Sequence, residues 1–199
     1  MTIIGLTGGI GSGKTYVSSI FKEKGITCVD ADDVAREIVL PGQPTLATIA
    51  ERYAEKPDIL MPDGQLNRAL LRSIIFSDPN EKQWLENLMH PVIRHQLVEL
   101  LSKSTSPYSV LVSPLLFETD QKDLVHRSAV VDIPENLQIE RAASRDNVSK
   151  EQIKRIMQAQ LARKERLALA DDIIDNSVDK ETTYHQVQKL HQTYLKLGT

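Results

Sequence analysis

Short apolar runs alternate with stretches of helical spacing along the chain. The runs near residues 2–7, 26–30, 108–113, 127–133 and 172–175 have the length and composition of buried strands. Between them, apolar residues recur every three or four positions, which is typical of helices that bury one face. This alternation predicts an α/β fold in which a parallel five-stranded sheet carries helices on both faces.

The connection between the second and third predicted strands is longer than a crossover requires. A crossover between parallel strands needs about a dozen residues, whereas about seventy residues lie between 34 and 107. The excess predicts an inserted helical lobe, with helices at 66–76 and 81–89. Pro91 suits the first position of a further helix that runs to about residue 101, so we predict that His90 and Pro91 form a helix junction.

The segment 136–164 predicts a small helical lid. Arg141 and Arg145 are four residues apart and therefore lie on one helix face, and Ser149 with Gln152 forms a capping box that begins a second helix. Arginines on such a hairpin can close onto bound phosphates, although a salt-bridged surface helix would show the same pattern. Three basic residues after this hairpin are expected to be mostly solvated: Arg163, Lys164 and Arg166.

We therefore predict one domain with three parts. The core covers about 1–40, 104–135 and 165–199, the inserted lobe covers about 41–103, and the lid covers about 136–164.

Residues 8–15 (GGIGSGKT) carry the strongest chemical motif. They match G-x-x-x-x-G-K-[ST], the P-loop, between a predicted strand and a predicted helix. Its glycines let the backbone curl so that N–H groups and the helix dipole converge on phosphate oxygens. Lys14 would reach the β- and γ-phosphates, and the Thr15 hydroxyl would bind Mg²⁺. An accidental match is roughly a one-in-a-hundred event for this length, so we predict binding of a nucleoside triphosphate.

Three carboxylates follow the second predicted strand. The carboxyl ends of parallel strands share one edge of a sheet, where the P-loop also lies. We expect that strand to neighbour the first, so that the carboxylates stand close to the γ-phosphate. Asp30 and Asp32 would face the same way, because side chains alternate along an extended chain. Asp32 could then act as a base for an acceptor hydroxyl, whereas Asp33 suits the first turn of the next helix. The alternative is that all three carboxylates only cap that helix.

Composition narrows the range of functions. A guanine-reading N-K-x-D sequence is absent, which disfavours a GTPase. With 24 Lys and Arg, 27 Asp and Glu, and 5% aromatic residues, the chain offers no basic stripe for a nucleic acid. No apolar run is long enough to predict a membrane span. Cys28 is the only cysteine, so we predict a protein of the reducing cytoplasm that has no intrachain disulfide.

Five motifs, in order, resemble the dephospho-CoA kinase family over almost the whole chain. They are residues 6–14 (LTGGIGSGK), 29–32 (VDAD), 90–94 (HPVIR), 114–118 (PLLFE) and 170–176 (ADDIIDN). The resemblance implies a P-loop NTPase-type fold and ATP-dependent phosphorylation of the ribose 3′-hydroxyl of dephospho-CoA, with Mg²⁺ bound to the ATP. One position departs from the family pattern, because Tyr16 stands where a second hydroxyl residue usually follows the lysine.

The resemblance also implies roles for individual residues. Asp32, Lys14 and Arg141 would be catalytic, and the inserted lobe would bind dephospho-CoA. The ATP-binding residues would be Gly9, Gly11, Ser12, Gly13, Lys14, Thr15, Tyr16 (through its backbone N–H), Arg145 and Asn176, the last near the adenine. The residues on the dephospho-CoA side would be Asp32, Arg68, His90, Leu115 and Leu116.

Two other functions stay open on the residues alone. Another small-molecule kinase would share the P-loop and the carboxylate, and a nucleotide-binding regulator would share only the P-loop. The sequence leaves a homo-oligomer open and does not determine the oligomeric state.

Overall fold

In the computed structural model, which describes residues 2–197, the five apolar runs form one sheet. Its strands are β1 (Thr2–Thr7), β2 (Thr27–Asp30), β3 (Tyr108–Val112), β4 (Arg127–Asp132) and β5 (Asp172–Asp175). All of the strand pairs are parallel, in the order β2-β3-β1-β4-β5. The predicted α/β class and parallel five-stranded sheet are therefore confirmed. The prediction that β2 neighbours β1 is wrong, because β3 pairs with both of them.

The described residues contain nine α-helices. They are α1 (Lys14–Glu23), α2 (Ala31–Glu37), α3 (Pro44–Arg52), α4 (Arg68–Ser77), α5 (Pro79–Ser102), α6 (Glu135–Asp146), α7 (Lys150–Gln158), α8 (Arg163–Ala168) and α9 (Lys180–Leu197). The predicted cap of α7 is confirmed, since the Ser149 hydroxyl accepts the N–H of Gln152 at 3.2 Å. Every helix between residues 2 and 197 is too short or too polar to cross a membrane.

The main hydrophobic core lies between one face of the sheet and helices α1 and α9. Ile4 and Leu6 point from β1 into this core because side chains alternate along a strand. Phe21 of α1 stacks on Tyr194 of α9 with 6.2 Å between ring centroids, and both rings are fully buried. These contacts hold the helix that follows the P-loop firmly against the sheet.

The other face of β1 is covered by the segment that follows β3. A Cβ atom on Gly5 would lie 2.5 Å from Cδ2 of Leu116, so a side chain at this position would displace Leu116. Ser113 donates its backbone N–H to the Leu6 carbonyl at 3.0 Å, which extends the β1–β3 pairing by one residue. The end of β3 is thereby fixed beside the start of the P-loop.

The chain divides into two compact units. One comprises Met1–Asp30 and Leu100–Thr199 and contains the sheet; the other, Ala31–Glu99, is helical. Within the helical unit, Arg52 forms a bidentate ion pair with Glu81 at 2.7 and 2.8 Å, and the Tyr53 hydroxyl donates to Glu81 at 2.7 Å. These bonds hold the pKa of Glu81 at about 2, below its usual value.

Helix α5 differs from the prediction at Pro91. The helix runs without a break from Pro79 to Ser102, so the predicted junction at His90 and Pro91 is wrong. Proline in a helix interior removes one backbone hydrogen bond and crowds the carbonyl four residues earlier, at a cost of about 3 kcal/mol. Leu85 and Leu97, on either side of Pro91, are both buried, which shows that the packing of the long helix overrides this local cost.

Candidate active site

The P-loop is shaped by two glycines with left-handed backbones. Gly11 has φ 73° and Gly13 has φ 92°, a region that other residues rarely adopt. Both are also crowded: a Cβ on Gly11 would lie 2.7 Å from the Gln138 carbonyl, and one on Gly13 would meet the Asn176 amide. The loop therefore requires glycine for its conformation and for the close approach of its neighbours.

Asn176 holds the P-loop in place through its side-chain amide. Its Nδ2 donates to the Ser12 carbonyl at 2.7 Å, its Oδ1 accepts the Thr183 hydroxyl at 3.2 Å, and the residue is 8% exposed. The Ser12 carbonyl and the Gly13 N–H belong to one planar peptide and point in opposite directions. Holding the carbonyl therefore aims the Gly13 N–H at the other side of the loop. An adenine contact through this amide stays a prediction and would use the second N–H of Nδ2 or the second lone pair of Oδ1.

Three P-loop side chains have distinct surroundings. Lys14 donates from Nζ to the Gly8 carbonyl at 2.8 Å, so its ammonium group lies across the loop that it is predicted to serve. Thr15 is exposed in the first turn of α1. Tyr16 donates its hydroxyl to the Lys180 carbonyl at 3.0 Å, which fastens α1 to α9. That bond leaves the backbone N–H of Tyr16 as the group that could meet a phosphate, as expected for the departure at this position.

The two predicted lid arginines are engaged differently. Arg141, on α6, donates from Nη1 to the Asn176 carbonyl at 3.0 Å. Arg145 forms a bidentate pair with Asp146 at 2.7 and 2.8 Å, which raises the pKa of Arg145 and lowers that of Asp146. In this conformation Arg141 is anchored beside the P-loop support, whereas Arg145 is paired with its neighbour.

Two neighbouring leucines in the segment after β3 differ in their exposure. Leu116 is fully buried against Gly5, whereas Leu115 is 41% exposed. Glu118 accepts the backbone N–H of Leu161 at 2.8 Å, which ties this segment to the connection between α7 and α8. A substrate contact in this structure is therefore available to the side chain of Leu115 and not to that of Leu116.

The remaining predicted site residues belong to the helical unit. Asp32 is exposed in the first turn of α2, which begins at Ala31 directly after β2. The expectation that Asp30 and Asp32 face the same way along an extended chain is wrong, because Asp32 is helical. Arg68 begins α4, is exposed, and donates to the Arg36 carbonyl at 3.3 Å. His90 is exposed within α5.

Two residues beside the P-loop escaped sequence reasoning. Gln160 accepts the Ile10 N–H at 3.1 Å through Oε1. The expectation that Arg166 is solvated is wrong, because it is 4% exposed. Arg163 is also paired, with Asp132 at 2.6 and 2.8 Å, and only Lys164 of the three basic residues is exposed as expected. The sequence carried no signal for these contacts, since they depend on how the α7–α8 connection folds back onto the loop.

Comparison with known proteins gives a consistent result. The family model described as dephospho-CoA kinase matches residues 2–181. Dephospho-CoA kinases from Hahella chejuensis and Shewanella oneidensis are 47% and 48% identical over 196 residues, which cover 98% of this chain and 93% and 95% of those proteins. The solved structure of dephospho-CoA kinase from Campylobacter jejuni is similar with a TM-score of 0.73 and 27% identity, covering 99% of this chain and 98% of that one.

Proposed function

The chain belongs to the dephospho-CoA kinase family, and we propose that it transfers the γ-phosphoryl group of ATP to the ribose 3′-hydroxyl of dephospho-CoA. The products are CoA and ADP, in the last step of CoA biosynthesis. The observation that carries the proposal is a P-loop of matching sequence and glycine geometry in a chain matched to the family over residues 2–181. A cytoplasmic location fits the free thiol of Cys28.

The P-loop supplies the binding site for the ATP phosphates. Its backbone N–H groups and the N-terminus of α1 favour negative charge. Lys14 leaves the Gly8 carbonyl when phosphate arrives, because a charge-assisted bond to phosphate is stronger than one to a neutral carbonyl. The Gly13 N–H, oriented through Asn176 and Ser12, needs no rearrangement to donate.

Thr15 would hold the Mg²⁺ that accompanies ATP. Mg²⁺ prefers oxygen ligands, keeps several waters, and is commonly held through few protein groups together with substrate phosphates. An exposed hydroxyl in the first turn of α1 fits this role, and residues 2–197 contain no cluster of three His, Cys, Asp or Glu that could hold a metal alone. When bound, the ion neutralises charge on the β- and γ-phosphates.

Asp32 acts as the general base. It accepts the proton of the 3′-hydroxyl while that oxygen forms a bond to the γ-phosphorus. The bond from this phosphorus to the β–γ bridging oxygen breaks, and ADP leaves with the electron pair. An exposed carboxylate two residues beyond β2 supports this role, and a base of this kind contributes about 10²–10⁴-fold. Asp30, at the end of β2, is the alternative base.

The lid and the inserted lobe complete the site. Arg141 moves from the Asn176 carbonyl to the phosphates as the lid closes, which excludes water that would otherwise accept the phosphoryl group. Arg145 releases Asp146 and binds a phosphate of the nucleotide instead. Arg68 and His90 bind dephospho-CoA from the lobe at about 41–103. Leu115 and Leu116 lie on the acceptor side of the site. Leu116 contributes indirectly, because its packing against Gly5 holds this segment in place.

The test is ADP release from MgATP with and without dephospho-CoA, with adenosine and AMP as competing acceptors. The proposal predicts ADP only with dephospho-CoA, in equal amount to the CoA formed. Turnover with another acceptor would mean that the protein is a kinase with a different substrate. Tight MgATP binding without acceptor-dependent turnover would instead indicate a nucleotide-binding regulator.

A further inference from the structure

Arg166 is a buried cation to which no carboxylate within residues 2–197 comes to contact distance. It is 4% exposed, and its Nη2 donates to the Leu161 carbonyl at 2.6 Å. Its Nε–H is buried and has no hydrogen-bond partner among the residues that the structure describes. Burial lowers the pKa of Arg166 against the weaker, opposite effects of Glu118 and Asp132. An arginine stays charged even so, and a buried charge without a partner is costly.

Arg163, one helical turn earlier on α8, shows the contrast. It is only partly buried, and Asp132 binds it in a bidentate pair at 2.6 and 2.8 Å, which raises the pKa of Arg163. Thus the more exposed arginine has a carboxylate partner, whereas the more buried one does not. Structural stabilisation explains Arg163 and leaves the burial of Arg166 unexplained.

Arg166 lies against the P-loop. Its Nη1 would be 3.1 Å from a Cβ atom placed on Gly9, the second residue of the motif. It also lines a cavity of about 410 Å³ between α6, α7 and α8. Three cations border this cavity, Lys154, Arg163 and Arg166. Asp132 neutralises Arg163, and the carboxylate of Glu135 balances only one of the other two, so a net positive charge remains. The surroundings therefore favour an anion.

We propose that Arg166 binds the phosphoryl group during transfer, so that the anion at the P-loop supplies the counter-charge that this guanidinium lacks. The inference rests on the proposed kinase function, and it adds a catalytic residue from α8 to those of the P-loop and the lid. Charge spreads over the equatorial oxygens of a phosphoryl group in transfer, and a cation that is already in place stabilises it without reorganisation. Arg166 already lies against the P-loop and would act without moving, whereas Arg141 would have to move from the Asn176 carbonyl onto the phosphates.

The test compares Arg166→Gln and Arg166→Lys with Lys164→Gln, which removes a charge from an exposed position of the same helix. For each, the kcat and KM for dephospho-CoA are measured, together with the Kd of MgADP alone and of MgADP with aluminium fluoride, a mimic of the phosphoryl group in transfer. Arg166→Gln should lower kcat by about 10³-fold, the lower limit for an arginine that stabilises a transferring phosphoryl group. The Kd of MgADP should change by less than about threefold, whereas aluminium fluoride should tighten nucleotide binding much less than it does in wild type. Lys164→Gln should match wild type.

Arg166→Lys keeps the charge but is shorter and lacks the planar fork of donors. A loss of kcat of about tenfold or more with an unchanged Kd for MgADP supports direct contact, and this variant decides the question if Arg166→Gln does not fold. The proposal is overturned if kcat stays within about threefold of wild type in the folded variants. It is also overturned if kcat and MgADP affinity fall by the same factor, which would mean that Arg166 only shapes the loop. Failure of the kinase proposal is separate, since wild type would then form no CoA.

Discussion

The support of the P-loop by Asn176 can be tested by removing one amide. Asn176→Ala deletes the donor to the Ser12 carbonyl and the acceptor for the Thr183 hydroxyl, at a position that is 8% exposed. The Thr183 hydroxyl keeps other acceptors, the carbonyls of Asp175 and Asp179 at 3.4 and 3.2 Å. The loss therefore falls mainly on the Ser12 peptide.

The structure sets the size of the expected effect. A net hydrogen bond contributes about 1 kcal/mol, and a buried carbonyl left without a donor costs about 1–3 kcal/mol. We therefore expect Asn176→Ala to lower the free energy of unfolding by about 2–3 kcal/mol. For a chain of this size, this corresponds to a fall in Tm of roughly 5–10 °C. Because the Ser12 carbonyl and the Gly13 N–H share a peptide, the Kd of MgATP should also rise about tenfold, or ~1.4 kcal/mol.

The assay combines thermal unfolding without nucleotide and titration with MgATP. Asn136→Ala is the control, because Asn136 is an exposed asparagine in the first turn of α6 and should leave both values unchanged. Thr183→Val removes the bond to Oδ1 and keeps the bond to Ser12, so it should weaken MgATP binding less than Asn176→Ala does. Wild-type Tm and wild-type MgATP affinity in Asn176→Ala would refute the proposed support of the loop.

Three further predictions concern catalysis and pH. Asp32→Asn should keep the wild-type Kd for MgATP and lose about 10²–10⁴-fold in kcat; steady-state kinetics with near-wild-type turnover would remove Asp32 from the mechanism. Lys14→Ala should lose about 10³-fold or more in kcat and much of the preference for MgATP over MgADP, and an unchanged preference in nucleotide titrations would contradict its contact with the γ-phosphate. Burial, with a smaller effect of Lys24, lowers the pKa of His191 below 6.5. The unfolded chain then binds the proton more tightly, so the free energy of unfolding should be highest above pH 6.5 and fall as the pH drops below it. Urea titrations should show a smaller fall in His191→Asn, and an equal fall would exclude His191 as its source.

The sequence predicted the elements that depend on local pattern. All five strands begin and end within a residue or two of the expected positions, because a short apolar run is recognisable without knowledge of its neighbours. The P-loop was recognised for the same reason: the left-handed Gly11 and Gly13 lie in a contiguous motif between a strand and a helix. The Ser149 cap is likewise an interaction between residues three positions apart.

Features that depend on distant pairing were missed or misjudged. Strand order was misjudged because hydrophobicity identifies a strand and does not say which strand lies beside it, so β3 was not expected between β1 and β2. Pro91 was taken to begin a helix because proline favours that position locally, whereas the packing of α5 on either side decides the outcome.

The sequence by itself determined the strands and the P-loop, because each is encoded in neighbouring residues whose spacing sets the geometry. The type of reaction followed from the resemblance of five motifs to a known family. Only the tertiary structure decided which residues from distant parts of the sequence contact the P-loop. Asn176 lies 164 residues from Ser12, and Gln160 lies 150 residues from Ile10. The burial of Arg166 likewise arises only when α8 folds back against the loop. The charge of Arg166 alone predicted a solvent-exposed side chain, because arginines are rarely buried. Whether a particular arginine is buried depends on surroundings that only the folded chain provides.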